Sequence, residues 1–259
     1  MSNSRLLQYG IGAFGVVAAL CLWQFAATIG PLASSPMPTA SEAIGALGYL
    51  VTTPETWMAM GDTVFMAFVG LVIAAVTGVL LGICIGVSPL VMHATRVPLE
   101  FLKPIPPIVI LPIVVLVLGP TANMGIVLVF IGCFVSIVVQ SSAGVFDTDP
   151  VAKATGQSYG LSRRQVLGSI VLPSALPYIG TAIRVAAPTA LIVAVVAGLL
   201  GGGPGLGQSL LLSQISGNQD QLFAYVLILG ILGLLVQGLS QWCERKLLHW
   251  HPQYRKQAV

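Results

Sequence analysis

The side chains that most often do chemistry are few here and badly placed for it. The histidines, His93, His249 and His251, are scattered and fall outside the apolar runs, as expected of surface residues. Cys21, Cys84, Cys133 and Cys243 are widely spaced in or beside apolar runs, with no C-x-x-C pair, so they read as packing residues rather than a metal knuckle or redox motif. A phosphate-cradling loop needs Gly-Lys-Ser/Thr, yet the four lysines follow Leu102, Ala152, Arg245 and Arg255. No carboxylate falls inside an apolar run, which removes a proton relay and leaves a membrane-embedded hydrolase without a catalytic cluster. No metal or other cofactor is implied, and any ATP-driven step must come from a partner.

The polar groups that remain fall into two sets. Asn123, Ser136, Gln140, Ser141, Ser142 and Thr189 interrupt apolar runs, where polar groups either line a pathway or bond their own helix backbone. The second set is VAKATGQSYGLSRRQVLGSIVLP (151–173), a charged, Gly- and Pro-punctuated stretch between two apolar runs. Asp147-Thr148-Asp149-Pro150 supplies a cap and a first-turn proline for a short helix over 151–158. Gly160 stops it in a left-handed turn, and Ser162 caps a second helix through Arg163, Arg164 and Val166 to Ile170. Pro173 and Pro177 are expected to break that helix before the next apolar run. Such a built loop suits contact, with Lys153, Thr155, Gly156, Gln157, Tyr159 and Gly160 offered to a groove.

The elements that carry these residues are membrane spans. Only 7% of the 259 residues are charged and 56% are hydrophobic, against roughly 25% charged in a soluble domain. Six runs approach the roughly 20 apolar residues a spanning helix needs: 9–30, 63–87, 104–119, 121–145, 178–200 and 222–242. The fold class is therefore all-α integral membrane, with six transmembrane helices. Pro104, Pro106, Pro107 and Pro112 make the third run irregular, and Pro112 is expected to kink it. The first run is expected to be a retained helix, its apolar core being longer than that of a secretory signal.

With both termini inside, all eleven basic residues fall on the cytoplasmic side: Arg5, Arg96, Lys103, Lys153, Arg163, Arg164, Arg184, Arg245, Lys246, Arg255 and Lys256. The outer loops 31–62, 120 and 201–221 then carry only Glu42, Glu55, Asp62 and Asp220. The layout is a cytoplasmic N-terminus (1–8), a transmembrane domain (9–242) with its cytoplasmic loop at 147–177, and a cytoplasmic tail (243–259). Arg184, near the boundary, is expected to snorkel as an anchor. Gly70, Ala74, Gly78, Gly82 and Gly86 form a small-residue stripe for close helix packing. A net charge of +3 offers no basic patch for nucleic acid; the lipid bilayer is the surrounding partner.

Gly160, nine intervening residues, then Ile170-Val171-Leu172-Pro173 resembles the second half of the Glu-Ala-Ala loop of binding-protein-dependent ABC transporter permeases. PLEFLKPIPPIVILPIVVLVLGP (98–120) is similar to the proline-rich third span of the nitrate/sulfonate/taurine branch, which also includes importers of vitamin precursors and aromatic acids. FVSIVVQSSAGVFDTDP (134–150), Arg184 and GPGLGQ (203–208) agree with the same branch.

The resemblance implies the permease fold of an ABC importer in the inner membrane. It implies a coupling helix docked on a cytoplasmic ABC ATPase, with Lys153, Ala154, Thr155, Gly156, Gln157, Tyr159, Gly160, Ile170 and Pro173 at the contact. It also implies an extracytoplasmic solute-binding protein and a second permease, either a copy of this chain or a paralogue. The solute expected is an organic anion or a vitamin precursor, and Ser136, Gln140, Ser141, Asn123 and Thr189 are the pathway candidates. Two positions depart from the pattern: Ala154, Thr155 and Gly156 stand where Glu-Ala-Ala is expected, and Ala197-Gly198 where the branch often has Ala-Glu. A passive channel or secondary transporter would share the spans but would not need the long structured loop.

Overall fold

The computed structural model describes residues 2–250, without the side chains of residues 2–9 and Ala13. His251, Arg255 and Lys256 lie outside the described residues. Eleven α-helices follow one another among those described: α1 (Ser2–Thr28), α2 (Ala40–Leu50), α3 (Pro54–Val87), α4 (Pro89–Leu102), α5 (Pro107–Leu118), α6 (Ala122–Phe146), α7 (Pro150–Ser158), α8 (Arg163–Val166), α9 (Leu172–Gly201), α10 (Leu206–Ile215) and α11 (Gln219–Leu247). A π-helical turn, Leu167–Val171, joins α8 to α9. Five helices are long and apolar enough to cross a membrane, and six if α4 and α5 are one broken span. The all-helical membrane architecture read from composition is therefore the one observed.

The chain forms two compact units. The first holds the residues up to Met58 and Ser209–Gly230. Within it Trp23 donates to the Pro38 carbonyl (3.1 Å) and its ring lies 5.7 Å from that of Phe223. Thr39 and Glu42 form a reciprocal capping box at the start of α2. The Thr39 backbone N–H, and then its hydroxyl, hold the Glu42 carboxyl below the usual range.

The second unit holds Ala59–Gln208 and the chain from Ile231 onward. Its centre is α6, with α3 on one side and α9 on another. A methyl added at Gly70 would meet Val129, at Gly78 Ile137, at Gly82 Ser141 and at Gly86 Val145. Each pair differs by 59 positions, so α3 and α6 run parallel, with glycine against side chain at positions 70, 78, 82 and 86 and Ala74 between the first two. The small-residue stripe thus works as an intramolecular seam, where backbone proximity supplies the dispersion contacts that lipid-facing helices otherwise lack. Helices α6 and α9 run antiparallel: Gly132 faces Val193, Cys133 Sγ lies 3.6 Å from the Ala186 carbonyl, and Gly144 faces Tyr178.

Two sequence expectations need correction. The 104–119 run is not helical throughout, since α5 begins only at Pro107. Helix α5 continues through Pro112, and the chain turns by 91° between α4 and α5. The reason is the density of prolines just upstream: Pro106 is extended (ψ 135°) before Pro107, which opens α5. Nor do Pro173 and Pro177 break the loop helix, because Arg163–Gly201 is one helical run of 39 residues. Pro173 cannot donate to a preceding carbonyl. The helix widens just before it, with the Leu172 N–H reaching Leu167 O and the Ser174 hydroxyl bonding Ile170 O at 2.7 Å.

Candidate functional site: the loop between α6 and α9

The loop is assembled from short-range chemistry. Helix α6 ends at Phe146, and Asp149 accepts the Val151 N–H (2.8 Å) to start α7, with Pro150 in its first turn. At the other end the Leu161 N–H bonds Gly156 O (3.1 Å) and the Gly160 N–H bonds Gln157 O (2.9 Å), around Gly160 at φ +80°. That is the double bond pattern of a left-handed helix stop. Ser162 and Gln165 then cap each other at the start of α8. Both caps and the positive φ agree with the sequence.

Tertiary contacts hold α7 in one attitude. Gly156 is buried, and a Cβ there would stand 2.6 Å from Ile170 Cδ1 and 3.4 Å from Leu161 Cδ1. Ile170, Leu161, Val166, Val171 and Ala175 share one apolar cluster with Val145 at the end of α6. Lys153 is half-buried and directs Nζ to the Val145 carbonyl (3.5 Å), a cation at the negative end of α6. Tyr178 donates to Asp147 (3.1 Å), linking the α6 end to α9.

The opposite face of α7 is open. Val151, Ala154, Thr155, Ser158 and Tyr159 recur at helical spacing and are all exposed, Val151 by 68% and Tyr159 by 85%. The structure therefore splits the predicted contact set. Ala154, Thr155, Gln157, Tyr159, Gly160 and Pro173 face outward, whereas Gly156 and Ile170 pack beneath.

The polar residues of the spans do not form one group. Asn123, Ser136 and Gln140 are exposed along α6, whereas Ser141 is fully buried against Gly82, with no partner for its hydroxyl among the described residues. Thr189 bonds back to Val185 O (3.3 Å). Among the described residues no cluster of three metal-ligating side chains occurs.

Arg184 does not simply snorkel. Its Nε lies 2.8 Å from Oε2 of Glu244, whose Oε1 accepts the Thr181 hydroxyl at 3.0 Å. The Glu244 side chain is 6% exposed and that of Arg184 34%. The sequence layout assigns Glu244 to the cytoplasmic tail (243–259), whereas it lies on α11 in register with Val236 and Ser240. That register was the available signal. These residues line a largely apolar cavity of about 290 Å³ between α3, α9 and α11.

Residues 78–249 match the family described as binding-protein-dependent transport system inner membrane component. The chain is similar to the taurine transport system permease protein of Escherichia coli (strain K12), with 29% identity over 96% of this chain and 91% of that one. It is also similar to a putative aliphatic sulfonates transport permease protein of Bacillus subtilis (strain 168), 24% identical over 91% of this chain and 85% of the other. With the nitrate import permease protein of Leptolyngbya laminosa it shares 29% identity over 66% of this chain and 61% of that protein. Among solved structures, a bacterial ABC transporter involved in alginate import superposes with a TM-score of 0.67 at 14% identity, over 94% of this chain and 96% of the other. An inward-facing methionine ABC transporter gives 0.65 at 21%, over 75% and 98%. At such identities the superpositions speak for the fold.

Proposed function

The chain belongs to the binding-protein-dependent transport system inner membrane component family, and from that premise we propose how it works as the permease subunit of an ABC importer. Helix α7 docks in a groove of a cytoplasmic ABC ATPase through the open face Val151, Ala154, Thr155, Ser158 and Tyr159. An extracytoplasmic binding protein delivers the solute, a small anion of the sulfonate or nitrate kind named for the relatives. A second permease completes the pathway. Both termini are cytoplasmic, and alternating access follows when ATPase closure moves α7.

One observation carries this reading: an exposed helical face on a loop whose other face is capped, packed and bonded to two spans. A rigid α7 transmits displacement to α6 and α9 instead of absorbing it. Copurification of an ATPase, with uptake abolished by ATP depletion, separates this mechanism from a passive channel or secondary transporter.

The loop gives a sharper test. No atom lies within 4 Å of a Cβ added at Gly160, so valine there acts through the backbone alone. A non-glycine residue at φ +80° costs about 1–2 kcal/mol, and β-branching adds to it. Gly160→Val is expected to cut uptake at least about tenfold while leaving the protein in the membrane. Wild-type uptake with normal ATPase association would refute the coupling role.

Orientation has its own test. Single cysteines at Val51 and Gln214, both exposed, should react with an impermeant reagent from outside intact cells, and one at Arg164 should not. Labelling at Arg164 reverses the topology.

A further inference from the structure

The break between α4 and α5 borders a cavity of about 410 Å³, walled by Lys103, Pro104, Pro106 and Pro107 on one side and by α6 from Phe130 to Ser136 on the other. Non-helical backbone in a spanning segment persists only where protein buries it or where it lines water. This break lies against an open space running up α6 for six residues, about 9 Å.

The charge in that space is one-signed. Among the described residues, Lys103 is the only ionisable side chain lining it. The ion pairs among the described residues are Arg96–Glu100 and Arg184–Glu244, so Lys103 has no carboxylate within ion-pair distance. Ser136 is exposed into the same cavity and has no hydrogen-bond partner among the described residues. The three prolines have no N–H to offer, which leaves one ammonium and one hydroxyl as the side-chain donors. Phe130 and Phe134, with ring centroids 5.1 Å apart, supply an apolar wall.

We propose that this cavity is a station for a small monovalent oxyanion crossing the membrane, held by Lys103 Nζ and the Ser136 hydroxyl, with any short organic tail on the phenylalanine wall. One uncompensated positive charge selects anions over cations. A single cation and hydroxyl suit one charged oxygen cluster, such as a sulfonate, nitrate or carboxylate, better than a dianion. The proposal deepens the importer reading and rests on it for the claim that the anion is cargo.

The test needs no transport, so failure of the site and failure of anion uptake register separately. The full chain, with its four cysteines replaced and Ser136→Cys introduced, is labelled in nanodiscs. The reagents are a methanethiosulfonate bearing a sulfonate and one bearing a trimethylammonium, each rate normalised to that with 2-mercaptoethanol. Any effect of Lys103 on thiol ionisation cancels in the ratio. The anionic reagent is expected to be favoured about tenfold. The preference should persist in Lys103→Arg and vanish in Lys103→Gln. Ethanesulfonate at millimolar concentration should slow labelling unless Lys103 is changed to glutamine. A ratio near one with Lys103 present, a preference that survives Lys103→Gln, or a thiol inert to both reagents overturns the site.

Discussion

Gly207→Ala should destabilise the protein more than any other single methyl addition. Gly207 lies in the first turn of α10, where a Cβ would collide with the Val195 carbonyl oxygen and stand 2.6 Å from the Leu199 amide. Both are backbone atoms of α9, so no rotamer change relieves the overlap. Overpacking a filled site costs about 1–3 kcal/mol when side chains can adjust; here α9 itself must shift, and about 3 kcal/mol or more follows. The expected observation is a lower melting temperature in detergent and reduced abundance in the membrane. Gly233→Ala is the control, a helical glycine with nothing within 4 Å of the added methyl. It should be neutral or slightly stabilising, because alanine is the better helix former. Equal behaviour of the two variants would mean that the contact of Gly207 with α9 is looser than its geometry.

The second large effect concerns Arg184 and Glu244. Removing one member of a buried pair strands the other charge, at about 3–5 kcal/mol, whereas apolar replacement of both is often nearly neutral. Glu244 is almost wholly enclosed and Arg184 a third exposed, so Arg184→Leu should cost about 3 kcal/mol, the low end of that range. The Thr181 bond alone cannot balance the carboxylate. The Arg184→Leu/Glu244→Leu double variant should recover most of the loss in thermal unfolding. Additive losses in the double variant would show that the two charges are not energetically coupled.

What the sequence disclosed and what it hid follow the range of the interactions. Asp149, Gly160 and Ser162 act on backbone groups within a few residues, so their types and spacing were enough to place α7, its stop and α8. The six apolar runs were legible for the same reason, since crossing lipid is a local demand on composition. The Arg184–Glu244 pair joins residues 60 positions apart, and nothing local marks it except the register of α11. Ser141 looked like its exposed neighbour Gln140, yet it is buried because Gly82 lets α3 approach. Proline number also misled: it forecast a break at Pro173 and Pro177, but a helix survives a missing N–H where a wider turn or its neighbours take up the cost. The chain turned instead at Lys103–Pro107, where prolines follow too closely for a helix to form at all.

The parallel seam between α3 and α6 bears on which parts of the molecule can move. Its glycine notches, at 70, 78, 82 and 86, are spaced in multiples of four residues, about 6 Å along the axis, and each admits one side chain of α6. A slip shorter than that spacing would drive Val129, Ile137, Ser141 and Val145 onto the bulkier residues between the notches. The two helices therefore behave as a rack engaged with its teeth: they travel together or jump a full tooth, with no stable intermediate setting. Any stroke that opens the protein must keep them in mesh, so rearrangement falls to joints with smoother bearings.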